Sequence, residues 1–190
     1  MRNLILTGIL FLGLAEFSYG VWIPAKAWLS QILLDQAWQD SQLQRTDIKP
    51  WPWADTWPVL KLTEVASNES LLVLQGDSGQ ALAFGPGLNS QSHRPGQPGN
   101  TIISGHRDTH FNCLAQLKAG QQLRLEDRNR RHHIYTIKSV DVVDSRKTRI
   151  AIATEQDLLT LVTCYPVNGI APAGSRRYVV TGIREDNPAI

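Results

Sequence analysis

Between residues 59 and 183 the chain is written in short apolar, β-branched runs separated by Gly, Pro, Asn and Asp, and little of it reads as helix. Such runs fall at 59–65, 71–75, 101–104, 122–126, 133–137, 140–143, 158–163 and 178–183. Residues 80–84 make one more, running into Gly85-Pro86-Gly87, and 153–157 suit a short helix or turn. Successive side chains of a strand point to opposite faces, so each run buries one face and needs many neighbours. Many short strands at this spacing predict an all-β fold, a closed barrel or a sandwich.

The runs at 158–163 and 178–183 flank a stretch broken by Pro166, Gly169, Pro172 and Gly174, which reads as strand, loop, strand. Cys164 closes the first and Arg177 opens the second. If they pair as antiparallel neighbours, a thiol and a guanidinium meet at one rim of a sheet. A free thiol, with a pKa of about 8.5, is mostly protonated at neutral pH, and a neighbouring cation favours the thiolate. A permanently charged Arg can also orient a carbonyl or bind the oxyanion that develops during attack. What the pair lacks is a proton carrier.

His106 meets that need. Of the five histidines, only it has both a strand before it and a glycine, Gly105, that lets the backbone turn closely. A His and a Cys far apart in sequence are the arrangement of a thiol enzyme assembled by folding rather than by a local motif. Taken alone, a strand-end His is more often structural, and a lone Cys, such as Cys113, is more often a small buried hydrophobe.

The N-terminal part is different in kind. Residues 4–22 are apolar with one charge, Glu16, and as a helix rising about 1.5 Å per residue they reach roughly 29 Å, close to one hydrocarbon thickness. Arg2 precedes them, favouring a cytoplasmic start and export of everything after Pro24. A cleaved signal peptide is the competing reading, with 4–14 of suitable length and Ala25-Lys26-Ala27 as the cleavage pattern; a retained anchor is expected because the apolar run exceeds that norm. A buried core helix fits less well at the extreme terminus.

Trp28, Leu29, Ile32, Leu33, Ala37 and Trp38 then recur near the helical period, predicting an amphipathic helix over 25–44. Residues 49–58 interleave Trp51, Trp53 and Trp57 with prolines and read as an extended connector whose indoles dock. The expected divisions are an anchor or signal segment at 1–24, helix and connector at 25–58, and a β-barrel domain at 59–190. A net charge of +2 does not point to nucleic acid.

The wording around the three chemical residues narrows the field. TIISGHRDTHF at 101–111, TLVTCYP at 160–166 and SRRYVV at 175–180, in this order and separation, resemble the sortase family. The likeness extends through FGPG at 84–87, PGNT at 98–101 and LKAGQQL at 117–123, and so covers most of 59–183. TCYP, the Trp-rich lead-in and the N-terminal segment look most like the sortases of Gram-negative bacteria, with class D next.

The resemblance implies a closed eight-stranded β-barrel with short helices that works as a cysteine transpeptidase, a thiol endopeptidase of the hydrolase class. It implies Cys164 as nucleophile, His106 as general acid and base, and Arg177 as the residue aligned to substrate or oxyanion. Arg177 is chosen over Arg176 because the family's arginine directly precedes an apolar strand. The implied substrate is a protein with a C-terminal LPxTG-like sorting signal, and the implied acceptor an amine of the cell envelope. The implied place is the inner membrane, single-pass, with the barrel on the periplasmic side. Neither metal nor cofactor is called for. Thr163, Tyr165 and Asp108, beside the reacting pair, are expected to shape the substrate site, and 165–174 to face it.

Four alternatives stand beside this reading. His106, Asp108 and His110 alternate, so an extended segment would turn them one way as zinc ligands. An L,D-transpeptidase also uses Cys and His, but its SHGC-like wording is absent. A thiol hydrolase would release the cleaved protein to water. A membrane-tethered barrel that only binds a peptide would leave Cys164 unreactive. The basic run Arg128 to His133 reads as a solvated hairpin tip, with anionic lipid as its minority partner.

Overall fold

The structure is a computed structural model that describes residues 2–167, 169 and 174–185; the side chains at 2–7, 9–12, 14, 15, 18 and 23 lie outside the description. Helix α1 (Arg2–Gln44) is continuous, with Pro24 inside it, so the two expected N-terminal segments form one element. Most side chains of the stretch 4–22 fall outside the described residues. Among the described residues, no helix is long and apolar enough to cross a membrane.

The second half of α1 buries Leu34, Ala37, Trp38 and Ser41, a stripe at the spacing of one helix face. That stripe packs on strands β1 (Pro58–Glu64) and β2 (Ser70–Gln75). Gln31 Nε2 donates to the Phe84 carbonyl at 3.0 Å and Gln42 Nε2 to Glu126 Oε1 at 2.6 Å, fixing both ends. Before this docked half, Phe17, Tyr19, Trp22 and Trp28 stand exposed. Of the connector's indoles, Trp57 packs against the core and Trp51 meets Phe84 edge to face at 5.2 Å, while Trp53 is exposed.

After β2 the chain forms α2 (Gly79–Leu82), β3 (Gly87–Leu88), β4 (Gly99–Ser104), a 3-10 turn at Asn112–Gln116, β5 (Gln122–Asp127), β6 (His132–Asp144), β7 (Asp157–Cys164) and β8 (Arg176–Arg184). The eight strands close in the order β1-β2-β3-β4-β7-β8-β6-β5, so the barrel alternative holds over the sandwich. The run at 80–84 is not a strand. Ser78 accepts the Ala81 N–H and caps a helical turn there, satisfying donors a strand would need to pair elsewhere. The runs at 133–137 and 140–143 are one strand, β6, with its register shifted between Ile137 and Ser139 against β8. Residues 153–156 form no helix, and β7 begins at Asp157.

Leu60, Leu62, Val73, Ile103, Leu125, Tyr135, Leu159, Leu161 and Val180 fill the barrel, and Phe111, Leu114 and Leu117, from the segment after β4, join the same core. Tyr135 carries a polar group into this core and satisfies it by donating to Asp157 Oδ1 at 2.8 Å. Asp157 also accepts the Gly96 N–H and lies 3.3 Å from Arg184 Nη1, tying the start of β7 to the loop before β4.

Candidate active site

Strand register assembles the site. β4 and β7 are parallel neighbours with Ser104 beside Val162, so the loop that leaves β4 with Gly105 and His106 emerges at the end of the barrel where β7 ends in Cys164. β7 and β8 are antiparallel with Cys164 directly opposite Arg177. Cys164 and Arg177, with the loop that carries His106 beside them, thus form one row at one end of the barrel. Leu159, Leu161 and Thr163 point inward and are buried, so Cys164 belongs to the outer face with Val162 and Thr160.

The loop that carries His106 is fixed from below. The Gly105 N–H donates to the Val162 carbonyl at 3.1 Å, and Thr163 Oγ1 donates to the Gly105 carbonyl at 2.7 Å. The Phe111 N–H closes back on the His106 carbonyl at 3.0 Å. A side chain at 105 would place its Cβ 2.7 Å from the buried Phe111 ring, so only glycine fits. Arg107, 8% exposed, donates from Nη1 to the Pro166 carbonyl at 3.0 Å and from Nε to Asp108 Oδ1 at 3.2 Å. It ties the loop that carries His106 to the segment after Cys164. Sequence reasoning passed over Arg107, whose only signal was its place beside His106.

Arg177 spends one nitrogen of its fork, Nη1, on the carbonyls of Gly174 at 2.7 Å and Arg176 at 3.0 Å. Among the described residues its other guanidinium nitrogens have no partner. Arg176 is aimed elsewhere, its guanidinium lying 5.0 Å from the centre of the Tyr165 ring. Of the three residues expected to meet substrate, Tyr165 thus lies in the row's neighbourhood and Asp108 is exposed but paired with Arg107. Thr163 is 2% exposed and its hydroxyl donates to the Gly105 carbonyl, so it supports the loop that carries His106. Within the expected substrate-facing stretch 165–174, residues 168 and 170–173 lie outside the described residues.

Below the row, the outer face of β4, β7 and β8 forms the floor of a cavity of about 360 Å³, walled by Thr148, Ile150 and Ala151 from the segment between β6 and β7. Asn100 holds that wall in place. Its Nδ2 donates to the Ala151 carbonyl, its backbone N–H donates to the Ile152 carbonyl, and its Oδ1 accepts from Thr160 Oγ1, all at 2.9 Å. Asn100 lay within the PGNT motif, but this role follows from strand pairing that no local pattern reveals.

A second cavity, of about 380 Å³, opens between β1, β2 and the segment after β4, lined by Leu62, Leu71 and Leu161 with His110 and Cys113. Burial, and then the nearby His106, hold the His110 pKa below the ordinary imidazole value. Burial likewise pushes the Cys113 thiol up, toward the unreactive protonated form. Both cysteines are free. The zinc alternative assumed an extended segment, but the chain turns at His106, whose carbonyl accepts from Phe111. Among the described residues, no three His, Cys, Asp or Glu side chains are grouped to hold a metal ion.

Comparison with known proteins bears on the same region. A family model described as the sortase domain matches residues 64–185. Sortase D of Bacillus subtilis is 34% identical over 118 residues, which are 62% of this chain and 59% of that protein, so the chain spans less than two thirds of its relative. Sortase A from Corynebacterium diphtheriae superposes with a TM-score of 0.61 at 24% identity, covering 72% of this chain and 65% of that one. A Clostridium perfringens Sortase D5 transpeptidase superposes with a TM-score of 0.65 at 16% identity, covering 83% and 98%. At these identities the two superpositions speak to the fold.

Proposed function

Because this chain belongs to the sortase family, we propose that it is a cysteine transpeptidase that cuts an LPxTG-like C-terminal sorting signal through a thioester on Cys164 and passes the protein to an amine. The supporting observation is the row itself, Cys164 opposite Arg177 in the β7–β8 ladder, with His106 in the loop that leaves the parallel neighbour β4 at the same end.

In this reading Cys164, as thiolate, attacks the carbonyl of the threonine-like residue. Arg177 offers the free part of its fork to the oxygen that gains charge. His106, as imidazolium, protonates the departing amine, and the thioester remains on Cys164. An incoming amine gives up its proton to the now neutral His106 and displaces the thiolate; where no amine arrives, water does so slowly. The residues before the scissile bond lie along the outer cavity, whose floor carries Leu158, Val179 and Thr181 and whose wall carries Ile150. Apolar leucine and rigid proline suit such a groove.

The same proposal makes residues 4–22 the tether, retained in the inner membrane with the barrel on the extracytoplasmic side. The acceptor is an amine of the cell envelope. The reaction as written is complete with these side chains and needs no added group.

The test is peptide cleavage by the full-length chain in neutral detergent, with hydroxylamine as acceptor and the hydroxamate product measured by chromatography. LPxTG-like or LPxTA-like peptides should give hydroxamate. Cys164→Ala and His106→Ala should remove it, and Arg177→Ala should lower kcat by about 100-fold or more. Full activity in Arg177→Ala with loss in Arg176→Ala would contradict the assignment.

A further inference from the structure

Far from the catalytic row, four arginines from three separate segments converge on one concavity. Arg45 comes from the turn just after α1, Arg94 from the loop before β4, and Arg128 and Arg131 from the β5–β6 turn; together they line a cavity of about 450 Å³. Its wall includes Gln97, two residues before Gly99 opens β4, whereas His106 follows the other end of that strand. From Gly99 to Ser104 that strand spans about 17 Å. The concavity is thus no part of the site described above.

The charge there is not balanced by the protein. Arg128 pairs with Asp47 at 2.8 Å, but among the described residues Arg45, Arg94 and Arg131 have no side-chain partner. Asp127 also lines the cavity, yet its Oδ1 accepts the backbone N–H groups of Asn129 and Arg131, and its Oδ2 lies 3.8 Å from His133 Nε2. Its carboxylate is occupied in closing the turn. Gathering like charges in a concave surface raises their mutual repulsion and focuses a positive potential that an anion relieves. Guanidinium forks match the oxygens of phosphate in paired, charge-assisted hydrogen bonds. The volume lies within the range of built ligand pockets.

We propose that the cavity between Arg45, Arg94, Arg128 and Arg131 is a binding site for a phosphate group, separate from the catalytic row. The phosphate belongs either to a membrane lipid headgroup or to a free phosphorylated molecule, and the two sources differ in what else the pocket grips. A headgroup brings glycerol and acyl ester groups to the cavity, whereas free phosphate engages the arginines alone.

The experiment is calorimetric titration of the full-length chain in neutral detergent at constant ionic strength, so that general screening is matched. The probes are inorganic phosphate and monomeric dihexanoyl phosphatidylglycerol. Saturable binding is expected for at least one. The double variant R94Q/R131Q should weaken it about tenfold or more, while R130Q, at the exposed tip and outside the cavity, should leave it unchanged. The rate of Cys164 alkylation, unchanged in both variants, reports that the fold is intact. Tighter binding of the lipid identifies a headgroup as the source, and binding of phosphate at least as tight identifies a free phosphate. No saturable binding of either probe, or equal binding by R94Q/R131Q, overturns the site.

Discussion

Thr163 and Gly105 act on the same loop, one by adding a hydroxyl and the other by lacking a side chain. Thr163→Val keeps the shape but leaves the Gly105 carbonyl without its donor, and should cost about 1–3 kcal/mol, read as a lower urea midpoint. If His106 carries the proton as proposed, the loss should also lower kcat, since the loop holds His106. His133 gives a second test. It is 7% exposed with neither ring nitrogen hydrogen-bonded, and burial, then Arg184, hold its pKa below the ordinary value against the opposing pull of Asp127 and Asp157. The unfolded chain therefore takes up a proton near pH 6.5 that the folded chain refuses. Stability is full above that pH and falls as pH drops toward the folded pKa. His133→Gln should flatten this fall in urea midpoints measured from pH 7.5 to pH 5. An unchanged slope would place the titrating group elsewhere.

Among elements, the segment between β6 and β7 is tied to β4 and β7 through the Asn100 side chain. Asn100→Ala removes the bond to Ala151 and leaves Thr160 Oγ1 without its acceptor. The expected result is a KM for the peptide raised several-fold with the alkylation rate of Cys164 unchanged, because the wall loosens while the row stays. Equal loss in both would mean Asn100 supports the row itself. The Cys–Arg meeting was legible in the sequence, since two runs joined by a loop pair as antiparallel neighbours and their ends coincide. The β4–β7 pairing was not, because parallel neighbours far apart in the chain leave no local pattern. The same limit hid Asn100 and made two strands of β6. At 80–84 a local cap, Ser78, outweighed the apolar run that had suggested a strand.

At the scale of the molecule, the barrel was legible from its punctuated runs, but the place where the folded unit begins was not. A period of apolar residues announces a helix without saying what its stripe covers. Leu34, Ala37 and Trp38 are buried on the barrel, so the unit reaches back into α1, well before the strand-rich region. Burial of each large apolar side chain is worth about 1.5–3 kcal/mol. A chain beginning near residue 25 should therefore keep the thermal midpoint of the full protein, and one beginning near residue 45 should lose several degrees at least. Equal midpoints would show the helix contributes nothing to the fold.

Whether Cys164 carries the acyl group is read by intact-protein mass spectrometry. Full-length chain mixed with LPxTG-like or LPxTA-like peptide should gain the mass of the peptide truncated at the scissile bond. Hydroxylamine should remove that mass, and Cys164→Ala should never gain it. No adduct with any peptide, together with a Cys164 that alkylates no faster than an ordinary free thiol, would contradict this and leave a barrel that binds without reacting.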